Sequence, residues 1–226
     1  VAVAGSYAYV AEDRVTVMNI ADPTHPQEEE FYDTPSWARA VVVAGSFIYV
    51  ADEDGGLVIL EYKEEWFPTT ALEPLELVSL IEGPAQAVAV YENYLYLGLG
   101  PRLVIFDLSD PARPREIGRT EVLAGVVEDV AVLDNYAYIA AGDAGLRVVD
   151  ISDPKQPHEV SFYKTSWEVY AVAVRGSYVC FTDDRGLQVI DVSDPTHPCK
   201  VGSWDTPGWA NAVEVSSSYA YVSNGR

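Results

Sequence analysis

The chain has 226 residues, 49% of them hydrophobic, with a mean hydropathy near zero, so it is long and apolar enough to bury a core and is not a disordered segment. Its 35 acidic residues against 14 Lys and Arg leave a formal net charge of -21, a surface that repels phosphate backbones, argues against nucleic acid as a partner, and leaves cations, basic proteins and neutral ligands open. No apolar run reaches the roughly 18 to 20 residues of a membrane helix, and no charged-then-apolar leader precedes Val1, so neither a membrane span nor a signal peptide is visible in this segment.

In chain order the sequence repeats itself. The first unit, 1–37, opens with "VAVAGSYAYVA" (1–11), continues with "VTVMN" (15–19) and turns through "NIADPTHP" (19–26). The second, 38–84, gives "VVVAGSFIYVA" (41–51) and "LVILE" (57–61). The third, 85–126, has "VAVYENYLYLG" (88–98), "LVIFD" (103–107) and "DLSDPARP" (107–114); the fourth, 127–168, has "VAVLDNYAYIA" (130–140), "LRVVD" (146–150) and "DISDPKQP" (150–157). The fifth, 169–209, has "VAVRGSYVCFT" (172–182), "LQVID" (187–191) and "DVSDPTHP" (191–198), and a partial unit, 210–226, carries "VEVSSSYAYVS" (213–223). With Tyr9, Tyr49, Tyr96, Tyr138, Cys180 and Tyr221 equivalent, the steps are 40, 47, 42, 42 and 41 residues, the period of propeller blades.

Each unit reads as four strands. A short apolar run, a G-S or D-N turn, an alternating aromatic run, a Gly/Asp turn, a third apolar run, the Asp-Pro loop and a final strand follow one another, and no stretch shows a helical period. The first strand is apolar on both faces because a blade lies between two neighbours. The Asp-Pro loop reads as a blade corner: its first Asp can accept from backbone N–H groups just ahead, Asp-Pro fills the first two places of a tight turn, and the second Pro fixes the approach to strand four. The rival reading is a calcium site using Asp150 and Asp153, but calcium requires six to eight oxygens and this turn offers few. The two cysteines, Cys180 and Cys199, fall on strands two and four of one blade, about 9 to 10 Å apart across the strand between them, too far for a disulfide.

The strand-three phrases "VTVMN", "LVILE", "LVIFD", "LRVVD" and "LQVID", with the D-P-x-x-P loop and the G-S-Y-A-Y-V hairpin, resemble the LVIVD repeat family across essentially the whole chain. The resemblance implies an all-β fold, a β-propeller of four-stranded antiparallel blades, of the kind found in secreted or cell-surface proteins of bacteria and archaea and largely without an assigned activity. The second unit departs from the pattern: in place of the Asp-Pro loop it carries the longer "EYKEEWFPTTALEP" (61–74). The count is five full repeats plus half a sixth, which implies a six-bladed propeller or part of a longer array, because propellers close on whole blades.

In a four-stranded blade the strand 4–1 and 2–3 loops share one face. The residues just before each first strand, Arg39, Gln86, Glu128, Tyr170 and Asn211, are therefore expected at the channel mouth, where they vary while the flanking positions repeat. This makes them candidate ligand-binding residues, together with the indoles of Trp37 and Trp209 and the neighbouring Trp167; a flat indole can stack on a sugar or hold an organic cation, or else wedge between blades as packing. The same face carries the acidic turns with Glu12, Asp13, Asp52, Glu53, Asp54, Asp143, Asp183 and Asp184, read either as solvated hairpin tips or as the docking point of a basic or metal-bearing partner. On the opposite face, Trp66 and Phe67 in the odd loop are candidate partner contacts.

Motifs for chemistry are missing. The sequence has no nucleophile elbow, no H-E-x-x-H and no phosphate-binding P-loop, and "GLGPRL" (98–103) is a hairpin turn rather than a dinucleotide fingerprint. His25, His158 and His197 belong to corners of different blades, so no metal site and no cofactor is expected. The reading is a non-catalytic binding or scaffold module of an extracellular or cell-surface protein, with a protein partner or self-association. The alternatives are a small neutral or cationic ligand, or a carbohydrate, at the channel mouth, and an enzyme using Glu128 as acid or base with Tyr170 and Arg39 assisting.

Overall fold

A computed structural model describes residues 1–62 and 75–225, and among these residues there is no helix. The first sheet is β1 (Ala2–Ala4), β2 (Tyr7–Ala11), β3 (Val15–Asn19) and β4 (Gln27–Tyr32); the second is β5 (Ala40–Ala44), β6 (Phe47–Ala51), β7 (Leu57–Tyr62) and β8 (Leu75–Ile81). The third is β9 (Ala85–Tyr91), β10 (Tyr94–Leu99), β11 (Arg102–Asp107) and β12 (Arg115–Arg119); the fourth is β13 (Asp129–Leu133), β14 (Tyr136–Ala140), β15 (Leu146–Asp150) and β16 (His158–Tyr163). The fifth is β17 (Val169–Arg175), β18 (Tyr178–Asp183), β19 (Gly186–Asp191) and β20 (Cys199–Asp205), and β21 (Ala210–Ser216) pairs with β22 (Tyr219–Asn224). Strands follow one another in each sheet in chain order, so the five four-stranded repeats and the half repeat stand where the sequence period puts them. The chain divides into two compact units, Val1–Leu97 with Asp107–Arg115, and Gly98–Phe106 with Glu116–Arg226.

The first turn of every repeat requires a left-handed backbone, met by Gly5, Gly45 and Gly176 and, at φ between 52° and 54°, by Glu92, Asp134 and Ser217. The central strands lose their alternation because both faces are covered. In β7, Leu57, Val58, Ile59 and Leu60 are all fully buried. In the first unit Tyr9, Val15 and Val17 of the first sheet pack with Ile48, Val50, Val58 and Leu60 of the second. In the second unit Tyr138, Leu146 and Val148 pack with Val179, Phe181 and Ile190, and the other face of the fifth sheet packs Ala171, Ala173 and Cys180 against Val213. Cys180 and Cys199 are free thiols, the first buried and the second exposed.

The Asp-Pro loops of the first, fourth and fifth repeats are corners built from two consecutive side-chain turns. Asp150 Oδ1 accepts from Ser152 N at 2.8 Å and Ser152 Oγ at 2.6 Å, and Asp153 Oδ1 then accepts from Lys155 N at 3.0 Å while Gln156 N closes on Asp153 O at 2.9 Å. Asp191 and Asp194 repeat this with Ser193 and Thr196, and Asn19 and Asp22 with Ala21 and Thr24. Hydrogen bonds from Thr24, from Ser193 and from Thr196 hold the carboxyls of Asp22, Asp191 and Asp194 below their ordinary value, so their contribution to stability is present above 3.8 and is lost as the pH falls through the lowered folded value. The corner also presents a carbonyl to the preceding repeat. The buried Tyr49 hydroxyl donates to Pro111 O at 3.1 Å, Ser161 Oγ donates to Pro195 O at 2.5 Å, and Gly118 lies so close to Pro154 O that a side chain there would run into it.

These contacts set a ranking. Gly118→Ala forces a methyl group onto a backbone oxygen and is expected to lower stability by about 1–3 kcal/mol. Tyr49→Phe removes one buried hydrogen bond and is expected to lower it by about 1 kcal/mol. Urea denaturation of both variants checks the order; equal stability of Gly118→Ala and the parent would overturn this account of the corner.

Candidate functional site

The strand 4–1 loops and 2–3 turns are built by local chemistry. Thr34, Thr165 and Thr206 each donate their hydroxyl to a carbonyl two residues on, at 3.0, 2.7 and 2.6 Å, which folds the loops that carry Trp37, Trp167 and Trp209. These indoles are 62%, 44% and 69% exposed, so the packing wedge expected from the sequence is not what they form.

Arg39 and Glu128 stand just before β5 and β13, whereas Gln86, Tyr170 and Asn211, expected just ahead of their first strands, are the second residues of β9, β17 and β21. In β17 and β21 the register skips one residue, between Val169 and Ala171 and between Ala210 and Ala212, and the extra residues are Tyr170 and Asn211. Such a bulge redirects a side chain out of the ladder. Arg39 N and Glu128 N bond to Ala51 O and Ala140 O at 2.8 and 2.9 Å, holding these residues at the ends of their sheets.

Each of two such residues is tied to the acidic turn of its own repeat. Arg39 forms an ion pair with Glu53, and the Tyr170 hydroxyl donates to Asp184 Oδ1 at 2.7 Å; both partners lie fourteen residues on. The Asp184 bond, reinforced by burial, pushes the Tyr170 phenol well above its ordinary value. At the same offset from Gln86, Glu128 and Asn211 stand Gly100, Gly142 and Gly225. The mouth residues and the acidic turns, read from the sequence as two features, are thus coupled pairs within single repeats. Glu53 holds a left-handed backbone, φ 40°, where Gly100 and Gly142 both have φ 53°.

The turn carboxylates are not all hairpin tips. Asp54 and Asp143 are exposed, but Asp52 and Asp183 are buried. Asp52 Oδ2 accepts from Ser36 N at 2.8 Å, and burial raises its carboxyl above the ordinary value in spite of that bond. Asp183 Oδ1 accepts from Arg185 N, Gly186 N and Gln188 Nε2. Among the described residues no group of three or more His, Cys, Asp and Glu is placed to hold a metal ion. His25 and His197 bond within their own corners to Asp22 and Asp194. Trp66 and Phe67 lie outside the described residues.

Sequence reasoning passed over Asp129. Its Oδ2 accepts from Val172 N in the next sheet at 2.9 Å and its Oδ1 from Val130 N at 2.8 Å. Ala40, Ala87, Ala171 and Ala212 occupy the equivalent positions, and that contrast was the available signal. Burial pushes the Asp129 carboxyl up to about 6, against the lowering effect of its two N–H donors.

The chain matches the LVIVD repeat over residues 1–34, 37–61, 82–122, 124–165 and 168–206. No curated protein matches it. Among solved structures it resembles a functionally unknown protein from Desulfotomaculum acetoxidans DSM 771, with a TM-score of 0.77 and 13% identity over 97% of this chain and 73% of that one. It also resembles the Cps50 (Swd1) beta-propeller domain of Myceliophteria thermophila, with a TM-score of 0.71 and 15% identity over 92% and 72%. A third likeness is to the computationally designed Ika8 protein, with a TM-score of 0.70 and 13% identity over 99% and 67%. At these identities the likeness shows the fold alone.

The raised Asp129 carboxyl has a defined sign. The folded chain binds this proton more tightly than the unfolded chain, so the group's contribution is fully present below pH 3.8 and is lost as the pH rises through about 6. The stability of the parent relative to Asp129→Asn is expected to fall by roughly 2–3 kcal/mol between about pH 4 and pH 7. Urea titrations at both pH values check it, and a pH-independent difference would refute it. Four-stranded antiparallel sheets at the blade period, a repeat matched over most of the sequence, and propellers of the same fold establish this chain as a member of the LVIVD repeat family of β-propellers.

Proposed function

We propose that this chain is a non-catalytic binding or scaffold module of an extracellular or cell-surface protein, and that it engages another protein, or a second copy of itself, through the strand 2–3 turns. The observation that carries the reading is the coupling at an offset of fourteen residues: Arg39 with Glu53 and Tyr170 with Asp184, against glycine opposite Gln86, Glu128 and Asn211. A repeat that keeps its core and varies one coupled pair per unit is organised for recognition. Glu53 supports this further, since a left-handed backbone at a non-glycine residue costs about 1 kcal/mol or more and here places a carboxylate on Arg39. The extracellular setting follows from the kind of protein in which such repeats occur, and the exposed acidic tips favour a basic surface as counterpart.

A second reading, a small neutral or cationic ligand or a carbohydrate held by Gln86, Glu128 or Asn211 within its own repeat, is supported by the variation of these residues from repeat to repeat where the flanking positions recur. The enzymatic reading is weaker. Arg39 is tied in an ion pair, and the Tyr170 phenol, raised by Asp184, is poorly matched to proton transfer near neutral pH.

The test is capture of proteins from the surface fraction of the source cells, followed by affinity measurement on the captured partner at two ionic strengths. Charge reversal at the exposed tips of the first unit, Asp13→Lys and Asp54→Lys together, is expected to weaken binding by at least about tenfold and to flatten its salt dependence. Affinity unchanged by the double variant and by salt would overturn docking at these turns. A turnover abolished by Glu128→Gln would overturn the non-catalytic assignment.

A further inference from the structure

The second unit contains a cleft of about 340 Å³ between the end of β16 with its following loop and the outer part of the fifth sheet. Tyr163 and Phe181, whose ring centroids lie 6.4 Å apart, form its apolar part. Its size is within the range of small-molecule sites. Its chemistry is unlike the rest of this acidic chain.

Three cations line it, Lys164, Arg185 and Lys200. Elsewhere Arg14, Arg39, Arg119 and Arg147 are each within 4.0 Å of a carboxylate oxygen of Glu28, Glu53, Glu116 and Glu159. None of the three cleft cations has such an ion pair among the described residues. The one carboxylate in the cleft, Asp183, is buried, and its Oδ1 is engaged by the N–H groups of Arg185, Gly186 and Gln188. The cleft therefore carries an excess of positive charge in a chain of net charge -21.

Gln188 is a second and independent signal. Its side chain is buried on β19 at a position where the second and third repeats have Val58 and Val104, both fully or almost fully buried. Burying an amide in place of valine costs stability unless its polar atoms find partners. Its Nε2 donates to Asp183 Oδ1 at 3.3 Å, and that bond leaves its amide oxygen and a second N–H to the cleft it lines. The third signal is Trp167, half exposed, with the Arg185 guanidinium 5.7 Å from the centre of its ring. A cation held beside an exposed indole offers a charge and a flat apolar surface together.

We propose that this cleft binds a small organic anion, a carboxylate carried on a six-membered ring. The acidic group meets Arg185 and the two lysines, the ring lies against the Trp167 indole, and Gln188 fixes the orientation. This chemistry is shared by a uronic acid and by an aromatic carboxylate, and it differs from the basic protein surface proposed for the turn tips.

The test is calorimetric titration of the whole chain at low salt with glucuronate, benzoate, glucose and inorganic phosphate. Binding of glucuronate or benzoate is expected, at least about tenfold tighter than glucose or phosphate, and which of the two binds tells the saccharide source from the aromatic one. Arg185→Ala with Lys200→Ala, both at exposed positions, is expected to weaken it about tenfold or more, Trp167→Ala to abolish the preference for a ringed acid over phosphate, and Gln188→Val, which introduces the residue of the second and third repeats, to weaken binding without loss of folding by circular dichroism. No binding of either acid at about 10 mM, phosphate bound as tightly as the ringed acids, or affinities unchanged in the Arg185/Lys200 and Trp167 variants would each overturn the proposal.

Discussion

The carbonyl oxygens of Pro111 and Pro195 accept hydrogen bonds from Tyr49 and Ser161 of the preceding repeat, and Pro154 O lies against Gly118 of its own preceding repeat. Proline fixes φ in these corners, Asp150 with Asp153 and Asp191 with Asp194 tie two successive side chains to the backbone just ahead, and in the corner of Pro111 Asp107 does so with Ser109 N. A four-stranded sheet can bury its two faces only if its neighbours stay at a fixed distance and angle. The corner supplies that constraint from the edge, while Asp129, bridging to Val172 N, supplies it near the start of the strands. The apolar runs of the central strands then need no alternation, and the exposed fourth strands, such as β4 with its sequence QEEEFY, carry the charge.

The corners and the hairpins were legible because each is a local event repeated several times, so that period and turn chemistry point the same way. The order of the strands among the described residues follows from that. Burial of individual charges was less legible. Asp52 and Asp183 sit in runs of acidic residues that read as solvated tips, yet each turns back to bond backbone N–H groups, and nothing in a string such as "TDDRG" says which aspartate does so. For the indoles of Trp37, Trp167 and Trp209 the sequence left open whether they pack or face solvent for a related reason, since a threonine hydroxyl bonded two residues ahead decides the loop's direction. Asp129 and Gln188 were within reach: both are polar where most other repeats have alanine or a β-branched residue, and a column-by-column reading of the repeats exposes them.

The two ends of each sheet do different jobs. At the corner end the side chains are committed to the backbone, and change there disturbs neighbouring sheets. At the other end the side chains of Arg39 and Tyr170 are committed to Glu53 and Asp184 of their own repeats, while the backbone of the same turns bonds the next sheet, Glu53 O accepting from Ala85 N and Gly142 pairing with Val169. The electrostatics divide in the same way. Corner carboxyls held low lose their contribution as the pH falls below 3.8, whereas the contribution of Asp129, held high, is lost as the pH rises through about 6.

The spacing of fourteen residues also bears on how such chains diversify. Both members of each pair fall inside a single hairpin, so a gene duplication or unequal crossover that copies one repeat copies the matched pair intact, with no compensating change needed in the unit next to it. A contact made between repeats, such as Tyr49 with Pro111, is not so portable: it depends on the following unit carrying an Asp-Pro corner, which the second unit lacks. The coupled pairs can thus be inherited whole, whereas a joint of this kind needs a matching neighbour.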